Sequence, residues 1–146
     1  MDRAARLMVS AILIGLFMMA LTACGTSTPS LGFAPSKQLV RKAIALQVSQ
    51  TQQQLTRQLQ ASPPKFDIAQ VNLKQLEPLF IDDLPTYRVS GTYNLKIQLP
   101  QQQVTQRKNF FNVYLQRQKQ GQTWRLLVPQ SLGNNSPTNW RTYLIR

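Results

Sequence analysis

TYRVSGTYNLKIQL, residues 86–99, alternates apolar and polar side chains along its whole length. Because successive side chains of a β-strand point to opposite faces, this alternation predicts a strand with one buried and one solvated face. Such strands are typical of antiparallel sheets. The predicted buried set is Tyr87, Val89, Gly91, Tyr93, Leu95, Ile97 and Leu99, and the predicted solvated set is Thr86, Arg88, Ser90, Thr92, Asn94, Lys96 and Gln98.

Other strand patterns flank this stretch on both sides. Before it, Ala69, Val71 and Leu73 alternate with polar residues, and residues 77–85 (EPLFIDDLP) contain two prolines and two adjacent acids, which predicts an irregular connection. After it, a third strand (104–118) with Phe111, Val113 and Leu115 inward, a fourth (123–128), and a final short strand or packed segment (140–145) are predicted, joined by turns at 100–103 and 120–122.

A single long helix is predicted over residues 36–61, upstream of all the strands. Ser36 is its expected N-cap, and Pro63 and Pro64 end it. Apolar residues recur at spacings of four and seven and predict one apolar face: Val40, Ile44, Val48, Leu55 and Leu59. Because Lys37 and Arg41 oppose the dipole at the helix N-terminus, the helix needs a packing partner for stability.

A helix followed by a meander of three to five strands predicts an α+β fold, with the apolar face of the helix on a curved antiparallel sheet. The element order over residues 36–128 resembles the cystatin-like and NTF2-like rolls, in which a curved antiparallel sheet cradles a helix. The length suits one domain, and we assign a single basic domain to residues 36–146. Such rolls host binding modules, dimerisation domains and some enzymes, so the fold constrains function little.

The first 24 residues have the organisation of a secretory signal peptide. Arg3 and Arg6 precede an uncharged apolar run at residues 7–20, which is shorter than the ~20 residues of a membrane-spanning helix. Residues 21–24, LTAC, resemble the lipobox of bacterial lipoproteins. The resemblance implies that residues 1–23 are removed and that Cys24 carries a diacylglyceryl group. The stretch that follows is rich in Gly, Ser, Thr and Pro, which predicts that residues 24–35 form a flexible tether. The resemblance leaves open whether the plasma, outer or thylakoid membrane holds the lipid.

The composition disfavours an enzyme. The 146 residues include no His and one Cys, which removes the usual general base, the commonest metal ligand and any intrachain disulfide. P-loop, GxGxxG and GxSxG motifs are absent. We therefore expect no catalytic, metal-binding or cofactor-binding residues, and we interpret Glu77, Asp82 and Asp83 as part of a polar loop.

The strong positive charge is the main indication of a partner. The chain carries 17 basic and 5 acidic side chains, a net charge of +12. Strand parity places five basic residues on the solvated side of the sheet, together with Phe110 and Tyr114: Lys74, Arg88, Lys96, Lys108 and Arg125. Three more, Lys37, Arg41 and Lys42, follow Cys24 closely enough to lie near a membrane.

These observations predict a lipid-anchored, non-enzymatic accessory or adaptor domain that binds an acidic protein or an anionic surface. Nucleic acid is not an expected partner, because an exported domain rarely meets it. The alternative is a small-molecule binder with a pocket between helix and sheet, where Gly91 leaves room for a ligand. At the C-terminus, Trp140, Arg141, Tyr143 and Arg146 form an aromatic and basic cluster, in which we expect Trp140, with Leu144, to close the core.

Overall fold

The structure, a computed structural model, describes residues 28–59, 62–130 and 138–146. The predicted signal peptide, Cys24 and residues 131–137 lie outside the described residues. The elements are a 3-10 turn, Leu31–Phe33; helix α1, Lys37–Leu59; and strands β1, Lys65–Ile81, β2, Leu84–Gln98, β3, Gln103–Arg117, β4, Trp124–Gln130, and β5, Asn139–Ile145.

The five strands form one antiparallel sheet in the order β1-β2-β3-β4-β5. This is the meander predicted from the sequence, and α1 packs on one face of it through β1, β3 and β5. The predicted α+β class, with one helix on an antiparallel sheet, is therefore confirmed. We call the face covered by α1 the inner face and the opposite one the outer face.

The core lies between α1 and the inner face. It combines three helix residues with apolar side chains from all five strands, because paired residues of neighbouring strands share a face. Its buried members are Val40, Ala43, Ile44, Ile68, Val71, Tyr87, Val89, Tyr93, Leu95, Phe111, Val113, Leu115 and Leu126. The inward parity predicted for Tyr87 to Ile97 and for Phe111, Val113 and Leu115 is confirmed. Thr86, predicted to be solvated, is instead 0% exposed, and its hydroxyl is satisfied by donating to the Leu84 carbonyl at 3.1 Å.

The apolar face of α1 is shorter than the sequence predicts. Val40, Ala43 and Ile44 are buried, but Leu55 is 53% and Leu59 is 74% exposed. The spacing rule identifies which residues share a face of the helix, but it does not say how far the sheet extends beneath that face. No helix in the described part of the chain is long and apolar enough to cross a membrane.

The connection predicted at residues 77–85 is wrong, because β1 continues to Ile81 and pairs with β2 up to the Ile81–Leu84 pair. Only Asp82 and Asp83 form the turn, with φ of 51° and 59°. Positive φ at both central residues is typical of tight two-residue hairpin turns, and Asp tolerates positive φ. Pro78 is compatible with β1 because β1 is an edge strand of the sheet.

Three register shifts interrupt the pairing of β2 with its neighbours. One leaves Lys74 unpaired between the Leu73–Gly91 and Gln75–Ser90 pairs, and the other two are β-bulges that flank the centre of β2. In β1, Gln70 and Val71 lie opposite Tyr93, and in β3, residues 107–108 lie opposite Asn94. The Asn94 amide connects the bulges: its Nδ2 donates to Gln70 Oε1, and its Oδ1 accepts from the Lys108 backbone N–H at 3.0 Å. Because the β1 bulge shifts parity, Ala69, predicted inward, pairs with Asn94 on the outer face.

Residues 28–35, the described part of the predicted tether, are packed on the domain. Pro29 and Pro35 are buried. The Tyr87 hydroxyl donates to the Ser30 carbonyl at 2.6 Å, and the Ser30 side chain caps the 3-10 turn by accepting from the Gly32 N–H. Burial raises the pKa of Tyr87, so this donor stays protonated at neutral pH. The segment is therefore fixed to one end of the sheet.

Candidate functional site

The candidate site is the outer face of the sheet, opposite the face on which α1 packs, and it is only partly open, because Thr86, Gln116 and Leu127 on it are at most 5% exposed. Strand register assigns residues to this face in rows. One row runs Glu77, Arg88, Tyr114, Leu127, Thr142 across all five strands, and another contains Asp67, Lys96 and Thr105. The register therefore places Arg88, Lys96 and Arg125 on this face, with their cross-strand neighbours defined by hydrogen-bonded pairing.

Arg88 is the most connected basic residue of this face. Its Nη1 lies 3.5 Å from Glu77 Oε2, its Nε donates to Asn112 Oδ1 at 3.3 Å, and its guanidinium lies 5.9 Å from the centre of the Tyr114 ring. The rings of Trp140 and Tyr114 pack in an edge-to-face arrangement, with their centroids 4.9 Å apart. These contacts hold the Arg88 guanidinium in place at the surface.

Lys74 and Phe110 form a second contact on the outer face. The ammonium of Lys74, from β1, lies 5.6 Å from the centre of the Phe110 ring on β3, so the lysine reaches across β2. Phe110 is 81% exposed, more than any other large apolar residue that the structure describes. An exposed aromatic ring beside a cation is the kind of side-chain pair that protein interfaces use as an anchor.

The other three predicted residues are less closely grouped. Lys96 pairs with Asp67 and Thr105 towards the far end of the sheet. The Arg125 guanidinium donates to Thr142 Oγ1 at 3.1 Å. Lys108 lies in the β3 bulge with φ of 57° and has no directly paired residue on β2, so strand parity does not assign its side chain to a face.

The predicted membrane-proximal group lies elsewhere. Lys37, Arg41 and Lys42 are exposed on the first two turns of α1, at the helix-covered side of the sheet. Arg41 donates to Asp67 at 2.9 Å, and both side chains are more than half exposed, so the pair contributes little stability. Arg41 thus contacts the β1 edge of the Asp67–Lys96–Thr105 row, and no such contact joins Lys37 or Lys42 to the outer face among the described residues.

The C-terminal cluster divides between the two faces. Tyr143 and Ile145 pair with Leu126 and Trp124 and pack against the core, whereas Trp140 and Leu144 lie on the outer face. The expectation that Trp140 and Leu144 close the core is therefore wrong, because the register of β5 places its odd-numbered side chains against the core. Trp140 instead extends the aromatic surface beside Arg88.

The space beside Gly91 is filled. A Cβ atom at this position would lie 2.0 Å from the Asn72 carbonyl oxygen and 3.0 Å from the Phe111 ring. Gly91 is thus required for close backbone approach, and it leaves no room for a ligand. An open cleft of about 370 Å³ does lie between Val48 and Tyr93, and a small-molecule site there stays a prediction.

The acidic residues are dispersed among the described elements. Asp82 and Asp83 occupy the β1–β2 turn, Glu77 contacts Arg88, and Asp67 contacts Arg41. Within the described residues, no three acidic or cysteine side chains gather in a group that could hold a metal ion.

Two features were not predicted from the sequence. One is the pair of bulges held by Asn94, for which an isolated asparagine in a strand pattern gives no specific signal. The other is the docking of residues 28–35, where the Arg117 guanidinium lies 4.4 Å from the Phe33 ring centre. Leu31 and Phe33 within an otherwise small and polar stretch are a signal that this segment packs on something.

The chain was compared with protein-family models, curated proteins and solved structures, and none of them matches it.

Proposed function

We propose that this protein is a bacterial lipoprotein whose domain, anchored through Cys24, presents the outer face of its sheet to an acidic protein at the membrane. It acts as an accessory or adaptor rather than as an enzyme. The observation that carries this proposal is the composition of the outer face. Basic side chains and aromatic rings lie together there, at Lys74 with the exposed Phe110 and at Arg88 with the half-buried Tyr114.

The charge balance of the outer face favours an acidic partner. Among the described residues two ion pairs form, Arg41–Asp67 and Arg88–Glu77. Lys74, Lys96 and Arg125 take part in neither, so their charges are available to a partner. Complementary charge accelerates association and selects the partner, while exposed aromatic rings supply buried area.

The anchor and the fold family are the other two parts of the proposal. The sequence LTAC at residues 21–24 supports an exported chain that is acylated at Cys24 and held at a bacterial membrane. A helix that precedes an antiparallel meander and packs on one face of it supports a cystatin-like or NTF2-like roll. Such rolls serve as binding modules, which agrees with an adaptor.

A charge-reversal experiment tests the outer face. We expect the triple variant Lys74→Glu, Lys96→Glu, Arg125→Glu to lose at least about tenfold of the acidic protein that co-purifies with the chain from native membranes, because like charges would meet in the interface. The measurement is quantitative mass spectrometry after mild detergent extraction at low salt.

A second triple variant, Lys37→Glu, Lys42→Glu, Arg57→Glu, is the matched control. It changes the net charge by the same amount on exposed helix positions away from the outer face, and we expect it to retain the partner. Equal losses of the partner in both variants would mean that the interaction is only non-specific charge attraction. If no acidic protein co-purifies above background with the unmodified chain, the adaptor function is contradicted.

A further inference from the structure

The docking of residues 28–35 fixes which end of the domain lies next to a lipid on Cys24. Ser30 is held by the Tyr87 hydroxyl, and it is six residues from Cys24. Six residues span at most about 21 Å when fully extended. The tether is therefore much shorter than its composition indicates, and it emerges from the end of the sheet where the 3-10 turn lies.

That turn exposes apolar side chains at the same end. Leu31 is 62% and Phe33 is 57% exposed, although the segment around them is fixed. One side of the Phe33 ring is covered by Arg117, which also donates from Nε to the Gly121 carbonyl at 3.3 Å in the β3–β4 turn. A rigid turn with two exposed apolar side chains and an adjacent cation has the composition of an interfacial membrane contact.

We propose that Leu31 and Phe33 form a second membrane contact, which inserts into the lipid interface beside the acyl chains and holds the domain upright. This inference rests on the lipid anchor of the proposed function and adds an orientation to it. Helix α1 leads away from the turn for 23 residues, or about 34 Å. The far end of the helix therefore lies about that distance from the proposed contact.

The end of the sheet beside the 3-10 turn has both acidic and basic side chains. This indicates that Leu31 and Phe33, rather than charge, make the membrane contact. Arg117 and Lys119 lie on one side, and Asp82 and Asp83 occupy the β1–β2 turn at the same end of the sheet. With acids and bases close together, attraction to anionic headgroups is partly cancelled. The contact is therefore expected to persist in high salt and with neutral lipid.

Depth-sensitive fluorescence on the lipidated full chain tests the contact. Because the Cys24 sulfur is a thioether in the lipidated protein, Leu31→Cys gives one free thiol for an environment-sensitive dye. Leu59→Cys is the matched control, since Leu59 is also an exposed leucine (74%) but lies at the far end of α1. Each protein is reconstituted into phosphatidylcholine vesicles, with and without phosphatidylglycerol, that contain a nitroxide-labelled phospholipid.

The expected result is a blue shift and strong quenching of the dye at position 31 in both lipid mixtures, with an unshifted, weakly quenched dye at position 59. If the intact mass includes the diacylglyceryl group but the dye at position 31 is quenched no more than the dye at position 59, the membrane contact is overturned and the anchor is not. An intact mass without the lipid would overturn the anchor and, with it, this inference.

Discussion

Gly91→Ala is expected to destabilise the domain by about 3 kcal/mol, a large fraction of the stability of a typical domain. The added Cβ would lie 2.0 Å from the Asn72 carbonyl oxygen, and a backbone atom cannot move aside as the end of a flexible side chain does. Gly91 has no positive φ, so the cost comes from the clash and not from backbone conformation. Urea unfolding followed by far-UV circular dichroism measures the effect.

Gly32→Ala is the matched control for this substitution. Its Cβ would meet only Ser30 Oγ, at 3.4 Å, which is an ordinary contact. We expect the free energy of unfolding to change by less than about 0.5 kcal/mol. A Gly91→Ala protein as stable as the Gly32→Ala protein would contradict the close approach of β1 to the centre of β2.

Ile44→Ala is expected to cost about 2–5 kcal/mol, because Ile44 is 1% exposed at the centre of the contact between α1 and the sheet. The first turn of α1 contains no acidic residue, and Lys37 and Arg41 oppose the dipole there. The helix therefore depends on this packing. We expect its circular dichroism signal and the tertiary fluorescence of the tryptophans to be lost at the same, lower urea concentration.

Leu55→Ala is the control on the same helix. Leu55 belongs to the same predicted apolar face but is 53% exposed, so we expect a change within about 0.5 kcal/mol. Comparable losses for Ile44→Ala and Leu55→Ala would mean that the whole apolar face is covered, as the periodicity alone predicts.

The fold class was predictable because the dominant signal, the alternation at 86–99, belongs to a central strand. A strand with one face against the core must keep strict parity, and β2 does so from Tyr87 to Ile97. The extent of β1 was not predictable in the same way. Its prolines and adjacent acids are typical of loops, and only its position at the edge of the sheet makes Pro78 acceptable.

The bulges limit how far parity can place site residues. Beyond the bulge in β3, Phe111 lies on the inner face, but before it the odd-numbered Thr105 pairs with Lys96 on the outer face. Parity therefore placed Arg88 and Arg125 correctly. It cannot place Lys108, which lies in the bulge itself, because a bulge is set by the contacts of Asn94 rather than by a hydrophobic period.

The sequence pattern also cannot predict the contacts that basic and aromatic side chains make on the outer face. The proximity of Lys74 to Phe110, and of Trp140 to Tyr114, depends on strand order and register across non-neighbouring strands. Residue type identified the candidate site residues, and the order and register of the strands determine which of them are in contact.

The central claim is that acyl chains on the Cys24 sulfur hold this basic domain at a membrane. Intact mass spectrometry of the protein extracted from native membranes tests it most directly. A chain that begins at Cys24 and carries the added mass of a diacylglyceryl group is the predicted result, and a Cys24→Ser variant should then lack that mass. A native chain that still begins at Met1, or that begins at Cys24 without any added lipid, would contradict the claim.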